Sequence, residues 1–89
     1  MLKSQIIFVP QQKYALDCDR NRIRVGDLVR IIGGPNPWNE VGSAVILSGF
    51  FQHRDGTGFY YGNEFHNSLA KNFRKIVDPI EIAQYYLEM

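Results

Sequence analysis

Eighty-nine residues with 45% hydrophobic and 13% aromatic content make one globular domain with a modest core, and too little chain for two domains. Ten basic against nine acidic residues leave a net charge of +1, far from the strongly basic balance of a dedicated duplex-binding domain. The single cysteine, Cys18, rules out a disulfide within these residues and fits a reducing compartment.

The first apolar run is Ile6, Ile7, Phe8 and Val9 with Pro10. It is too short for the core of a signal peptide, and no run approaches the ~18 residues of a membrane span. A cytoplasmic protein with no membrane partner is expected. Residues 5–9 (QIIFV) are β-branched and aromatic, hence a strand ended by Pro10. Residues 14–16 form a second short strand, and residues 17–21 (DCDRN) a turn, since Asp and Asn accept left-handed backbone and bond locally. Ile23 and Val25 alternate with Arg22 and Arg24, which opens a half-buried strand. Gly26-Asp27 interrupts it. Residues 28–32 (LVRII) resume it, with Val29 and Ile31 on one face and Leu28, Arg30 and Ile32 on the other.

Residues 33–42 form a loop that holds three glycines, two prolines and the one tryptophan. Pro35 and Pro37 fix their own φ and push Gly34 and Asn36 to extended backbone, so the loop is stiffer than its length suggests. Residues 43–51 (SAVILSGFF) make the longest strand. It is apolar on both faces, so it lies centrally or bends at Ser48-Gly49 to serve two halves of a barrel. Asp55-Gly56 is the strongest hairpin signal, between residues 50–53 and 58–61. Residues 63–72 read as irregular or as one helical turn, and residues 73–77 (FRKIV) as a last short strand. Asp78-Pro79-Ile80-Glu81 starts a helix: Asp78 caps, Pro79 sits where no N–H is missed, and Glu81 can close a capping box. In the helix, Glu81, Gln84 and Glu88 share a narrow polar stripe, and apolar residues cover the rest. About ten residues are too few for an isolated helix, so it must dock. Either Tyr85 and Tyr86 cover the barrel with wet hydroxyls, or Ile82, Tyr85 and Tyr86 meet a second copy or another partner.

Several groups are candidates for a site. Trp38, with Pro37, Asn39 and Glu40, sits in the stiff loop rather than on an alternating face. Its ring is either a lid over one barrel end or a hot spot for a protein partner. Phe50, Phe51, Phe59, Tyr60 and Tyr61 pair across the hairpin, where aromatic pairs stabilise a sheet. Five rings on two strands cannot all face one core, so Tyr60 and one neighbour are expected outside, available to stack on a base or pack on a protein. Arg20, Arg22, Arg24 and Arg30 form one basic group, and Lys71, Arg74 and Lys75 a second. If their strands lie close, the groups merge into a stripe that suits phosphates or an acidic surface. Asp17, Asp19 and Asp27 interrupt the first group. His53 and His66 have no partner at metal-ligand spacing, and the Gly pairs do not precede a helix, so neither metal, cofactor nor catalytic residue is expected.

The apolar residue before Gly26-Asp27, the Val29-x-Ile31 strand, Gly34 opening a loop and Gly42-x-x-Val45 leading the next strand together resemble the KOW/SH3-like small-barrel superfamily over residues 23–77. The Trp38-Asn39-Glu40-Val41-Gly42 turn is similar to one in the peripheral E subunit of photosystem I, another such barrel, and residues 72–76 (NFRKI) are similar to the last strand of these barrels. Small bacteriophage and bacterial proteins share this look. The resemblance implies a mainly β fold: an SH3-like barrel of about five to six short strands over about residues 5–77, with a short C-terminal helix at about 79–88. It also implies binding without catalysis. KOW domains contact ribosomal RNA, RNA polymerase or transcription factors, often through lysines in the loop between two strands. Here that loop has no base and one acid, Glu40. The expectation is therefore a protein-binding accessory or modulator of a larger bacterial or phage assembly. The alternative is an RNA- or DNA-contacting barrel using Arg22, Arg24, Arg30, Arg74 and Lys75.

Overall fold

The computed structural model describes residues 14–34, 41–62 and 66–88. These form seven strands in two sheets and one C-terminal helix: β1 Tyr14–Leu16, β2 Arg22–Arg24, β3 Leu28–Ile31, β4 Ala44–His53, β5 Gly56–Tyr61, β6 His66–Leu69, β7 Phe73–Lys75 and α1 Pro79–Leu87. A 3-10 turn, Ala70–Asn72, joins β6 to β7. β1 and β2 make a separate antiparallel pair, and the larger sheet runs β6-β5-β4-β3-β7, antiparallel throughout. The strand expected over residues 5–9 lies outside the described residues.

Alternation decides what reaches the core. Val29 and Ile31 point inward from β3 with Leu47, Phe59, Tyr61 and Phe73 from the neighbouring strands, and Ile23 joins them from β2. Phe73 is the hinge of this core, with its ring edge-on to Tyr61 at 5.8 Å and to Phe59 at 6.5 Å. Leu28 and Ile76 are buried on the other face, outside that cluster, where the Ile76 N–H donates to the Leu28 carbonyl at 3.1 Å. β4 is the longest strand and central, as its two-faced apolarity requires. Its register with β5 slips between Leu47 and Gly49, so the half of β4 beside β3 and the half beside β5 follow different ladders. The hairpin tip is Arg54 and Asp55, with Gly56 (φ 133°) already opposite His53, one residue away from an Asp-Gly tip. Residues 66–72, expected to be irregular or one helical turn, are instead a strand followed by a 3-10 turn.

The turn of residues 17–21 is held by one side chain. Asp17 is buried. Its Oδ1 accepts the backbone N–H of Asp19 and of Asn21, both at 2.8 Å, and its Oδ2 accepts the N–H of Lys75 on β7 at 2.7 Å. The Cys18 N–H donates to the Phe73 carbonyl at 3.0 Å. The small sheet is thereby stitched to the edge of the large one. The residue that takes left-handed backbone is Arg20 (φ 68°) rather than an Asp or Asn, and its N–H donates to the Asp17 carbonyl at 3.0 Å. Burial pushes the Asp17 pKa up, but the three backbone donors outweigh it and hold the carboxyl below its ordinary value.

A depressed folded-state pKa contributes stability above the unfolded carboxyl value of about 4, and this contribution is lost as pH falls below it. Asp17→Asn should lower stability by about 3 kcal/mol, because the amide sets an N–H₂ against either the Lys75 N–H or the two turn donors. Urea denaturation checks this. The wild-type midpoint should fall between about pH 5 and about pH 3, and the variant's should fall less.

Candidate functional site

β4, β5 and β6 present a face opposite the core. Phe51, Gly58 and Leu69 lie opposite one another in one row across the three strands, and Gly49, Tyr60 and Asn67 in another. The Phe51 and Tyr60 rings meet at 5.1 Å, tilted by 55°. The Phe51 ring lies flat across Gly58, so closely that a Cβ there would come within 2.3 Å of it. Gly58 has ordinary backbone, so it is needed for this close approach and for nothing else. Of the five hairpin rings, Phe59 and Tyr61 are buried, Phe51 and Tyr60 half-buried, and Phe50 exposed.

A groove of about 550 Å³ opens on this side of the sheet. Phe51 and Leu69 supply its apolar surface, and His53, Asp55, Lys71 and Asn72 its polar one, with Gly34 at its edge. The Asp55 N–H donates to His53 Nδ1 at 3.1 Å, and the two side chains approach to 3.5 Å. Asn72 Nδ2 donates to the buried Ser68 Oγ at 2.8 Å, which fixes the turn that forms one wall. A smaller groove of about 220 Å³ continues past Asp55, Leu69 and Lys71 toward β1. The volume is that of a ligand cleft, and the lining mixes apolar floor with hydrogen-bonding rim.

Trp38, Pro37, Asn39 and Glu40 lie outside the described residues. What is described is the base of their loop. The Gly42 N–H donates to the Ile31 carbonyl at 2.7 Å, the Ile31 N–H donates to the Ser43 carbonyl at 2.9 Å, and Arg30 Nη1 donates to the Gly42 carbonyl at 2.8 Å. Gly34, the last described residue before the loop, borders the groove.

Of the basic residues, Arg30 and Arg74 are brought together and both are engaged. β3 pairs with β7, and Arg30 stands directly opposite Arg74. Arg30 forms an ion pair with Glu81 of α1. Arg74 Nε donates to Asp19 Oδ2 at 2.7 Å. The Arg22 guanidinium lies 4.5 Å from the Tyr14 ring centre. Lys75 is half-buried and Arg24 exposed. On α1, Ile82 and Tyr85 are half-buried, and Tyr86 is exposed with its ring edge-on to Tyr85 at 5.4 Å.

Burial first, and then the Asp19 carboxylate, push the Cys18 thiol up from its ordinary pKa, so it is protonated at neutral pH. Among the described residues no three His, Cys, Asp or Glu side chains are grouped to hold a metal ion, and no helix is long and apolar enough to cross a membrane. No protein-family model, curated protein or solved structure matches the chain.

The groove is the feature that sequence reasoning missed. Phe51 was in view as one ring among five. Gly58 carries a signal only in combination with the register, and Lys71 is legible only as a member of the second basic group. Gly58→Ala should force the Phe51 ring out of its place and cost about 1–3 kcal/mol in overpacking. A thermal melt reads that loss, and an altered environment for Phe51 and Tyr60 in aromatic proton spectra locates it.

Proposed function

We propose that this chain is a non-enzymatic binding module with an SH3-like barrel, and that its ligand is a protein segment held in the groove that Gly34 borders. The strand order carries the fold reading. Five antiparallel strands run β6-β5-β4-β3-β7, the long β4 belongs to both halves through its register slip, and one 3-10 turn links the two edge strands. The groove carries the functional reading: it borders the start of the loop at Gly34, the β4–β5 tip at Asp55 and the turn at Lys71 and Asn72. An extended peptide suits such a cleft, with side chains on Phe51 and Leu69 and polar groups on the rim. The loop indole adds a large ring that leaves water at low entropy cost.

The nucleic-acid reading draws on Arg22, Arg24, Arg30, Arg74 and Lys75. Glu81 and Asp19 already answer Arg30 and Arg74, which leaves fewer charges for phosphates.

Affinity capture from host lysate separates the two. Trp38→Ala should weaken recovery of a protein partner by about 30-fold, the size of one hot spot. Lys71→Glu, at an exposed rim position, should weaken it less. Nuclease and raised salt should leave recovery largely intact, since aromatic burial is little screened. Recovery that is nuclease-sensitive, steeply salt-dependent and abolished by Arg24→Ala/Arg30→Ala reverses the assignment to nucleic acid.

A further inference from the structure

Among the described residues, one side of the C-terminal helix is half-buried and a second, apolar side is exposed. At about 100° per residue, Glu81, Tyr85 and Ile82 follow one another around α1, and they are its three half-buried side chains. Arg30 on β3 holds Glu81 and turns that side toward the sheet. Further round, Tyr86, Ala83, Leu87 and Ile80 fill an arc of about 120° with no polar side chain, and all four are exposed. Ile80 is 68%, Leu87 84% and Tyr86 52% exposed, with Val77 at 69% just ahead of the helix. Single exposed apolar side chains are ordinary, but a contiguous stripe marks a contact surface.

We propose that this stripe is a self-association surface, where α1 of a second copy packs antiparallel across Ala83. Ile80, Ala83 and Leu87 stand at i, i+3 and i+7, the spacing of a helix-on-helix seam. The small side chain sits in the middle, where two backbones approach most closely. The seam reads the same under a two-fold axis through Ala83, with Ile80 of one copy against Leu87 of the other, so one patch serves both sides. Charge agrees. Glu81 and Glu88 lie about 140° or more around the helix from the middle of the stripe, so pairing brings no carboxylates together, and an uncharged stripe asks for no oppositely charged partner. Antiparallel helices also align their dipoles favourably. Complete covering of Val77, Ile80, Tyr86 and Leu87 on both copies removes at most about 1,000 Å² from water, an area at the small end of interfaces that suits a weak association. The surface includes no residue of the groove.

Sedimentation equilibrium on the full chain tests this. The mass should climb from the 10.3 kDa of one chain toward twice that as concentration rises from about 1 to about 100 μM, the weak association that such an area supports. Leu87→Glu should hold the monomer mass throughout, with an unchanged melting curve because the position is already exposed. Glu88→Lys, on the far side, should shift the association by less than about 3-fold. A wild-type mass fixed at one chain over the whole range overturns the proposal and gives the stripe to another occupant. A doubled mass that survives Leu87→Glu also overturns it, since the copies then meet elsewhere.

Discussion

A buried carboxylate with three backbone donors is the constraint on which this small fold depends. A two-stranded hairpin of three-residue strands has no independent stability in water. β1 and β2 persist because Asp17 closes the turn after β1 and reaches the Lys75 N–H on β7 across 58 positions of chain. Two things follow from that one tie. Ile23 is delivered into the core from a sheet that shares no ladder with the other five strands. Asp19, two residues on, is carried to Arg74 on the next strand position. The exposed Arg74–Asp19 pair adds little by itself; its geometry is a consequence of the buried tie.

The groove depends on the same economy of contacts. A flat five-stranded sheet offers no concavity. Here β4 slips register after Leu47, Gly58 supplies no side chain, and the Phe51 ring occupies the space that a Cβ would need. The wall opposite is a 3-10 turn held by Asn72 on buried Ser68. The Ile32 N–H donates to the Asn72 carbonyl at 2.9 Å, so this wall is also joined to the end of β3, where the Trp38 loop departs. The parts that define the cleft are therefore linked through backbone bonds, and a ligand meets a surface that is largely formed in advance.

What the sequence made legible was local. The alternation in β3, the two-faced apolarity of β4, the hairpin after it and the Asp78-Pro79 helix start are short-range patterns, and each has its counterpart in the structure; the Asp78 carboxylate accepts the Ile80 N–H at 3.0 Å as a cap should. Long-range partners were not legible. Glu81 has the position for a capping box, and Arg30 competes for it from 51 residues away. Arg30 and Arg74 are neighbours only because β3 and β7 pair in one particular register. β6, with sequence HNSL, has almost no β-propensity of its own; it is a strand because β5 offers it a ladder and because Ser68 finds Asn72. The tertiary frame overrode the composition there. The sequence's leading site candidate, Trp38, lies outside the described residues, and its bearing on the groove rests on where its loop begins.

The helix shows how a short element is kept and partly used. Nine residues do not hold a helix in water by propensity. The Asp78 cap, Pro79 in the first turn and the Arg30–Glu81 pair secure its beginning, while no residue in it is buried. Beyond Glu81, Ile82 and Tyr85 are its half-buried side chains. A broad apolar arc on so lightly anchored a helix has a cost: Ile80, Tyr86 and Leu87 remain in water without contributing to the domain's own core. Polar residues at those positions would serve an isolated domain equally well, because these side chains take no part in its core. The apolar identity of the outer stripe is what the proposed self-association accounts for. That surface, reached through β3, and the groove, built on β4, β5 and β6, share no side chain, so the two can be occupied at once.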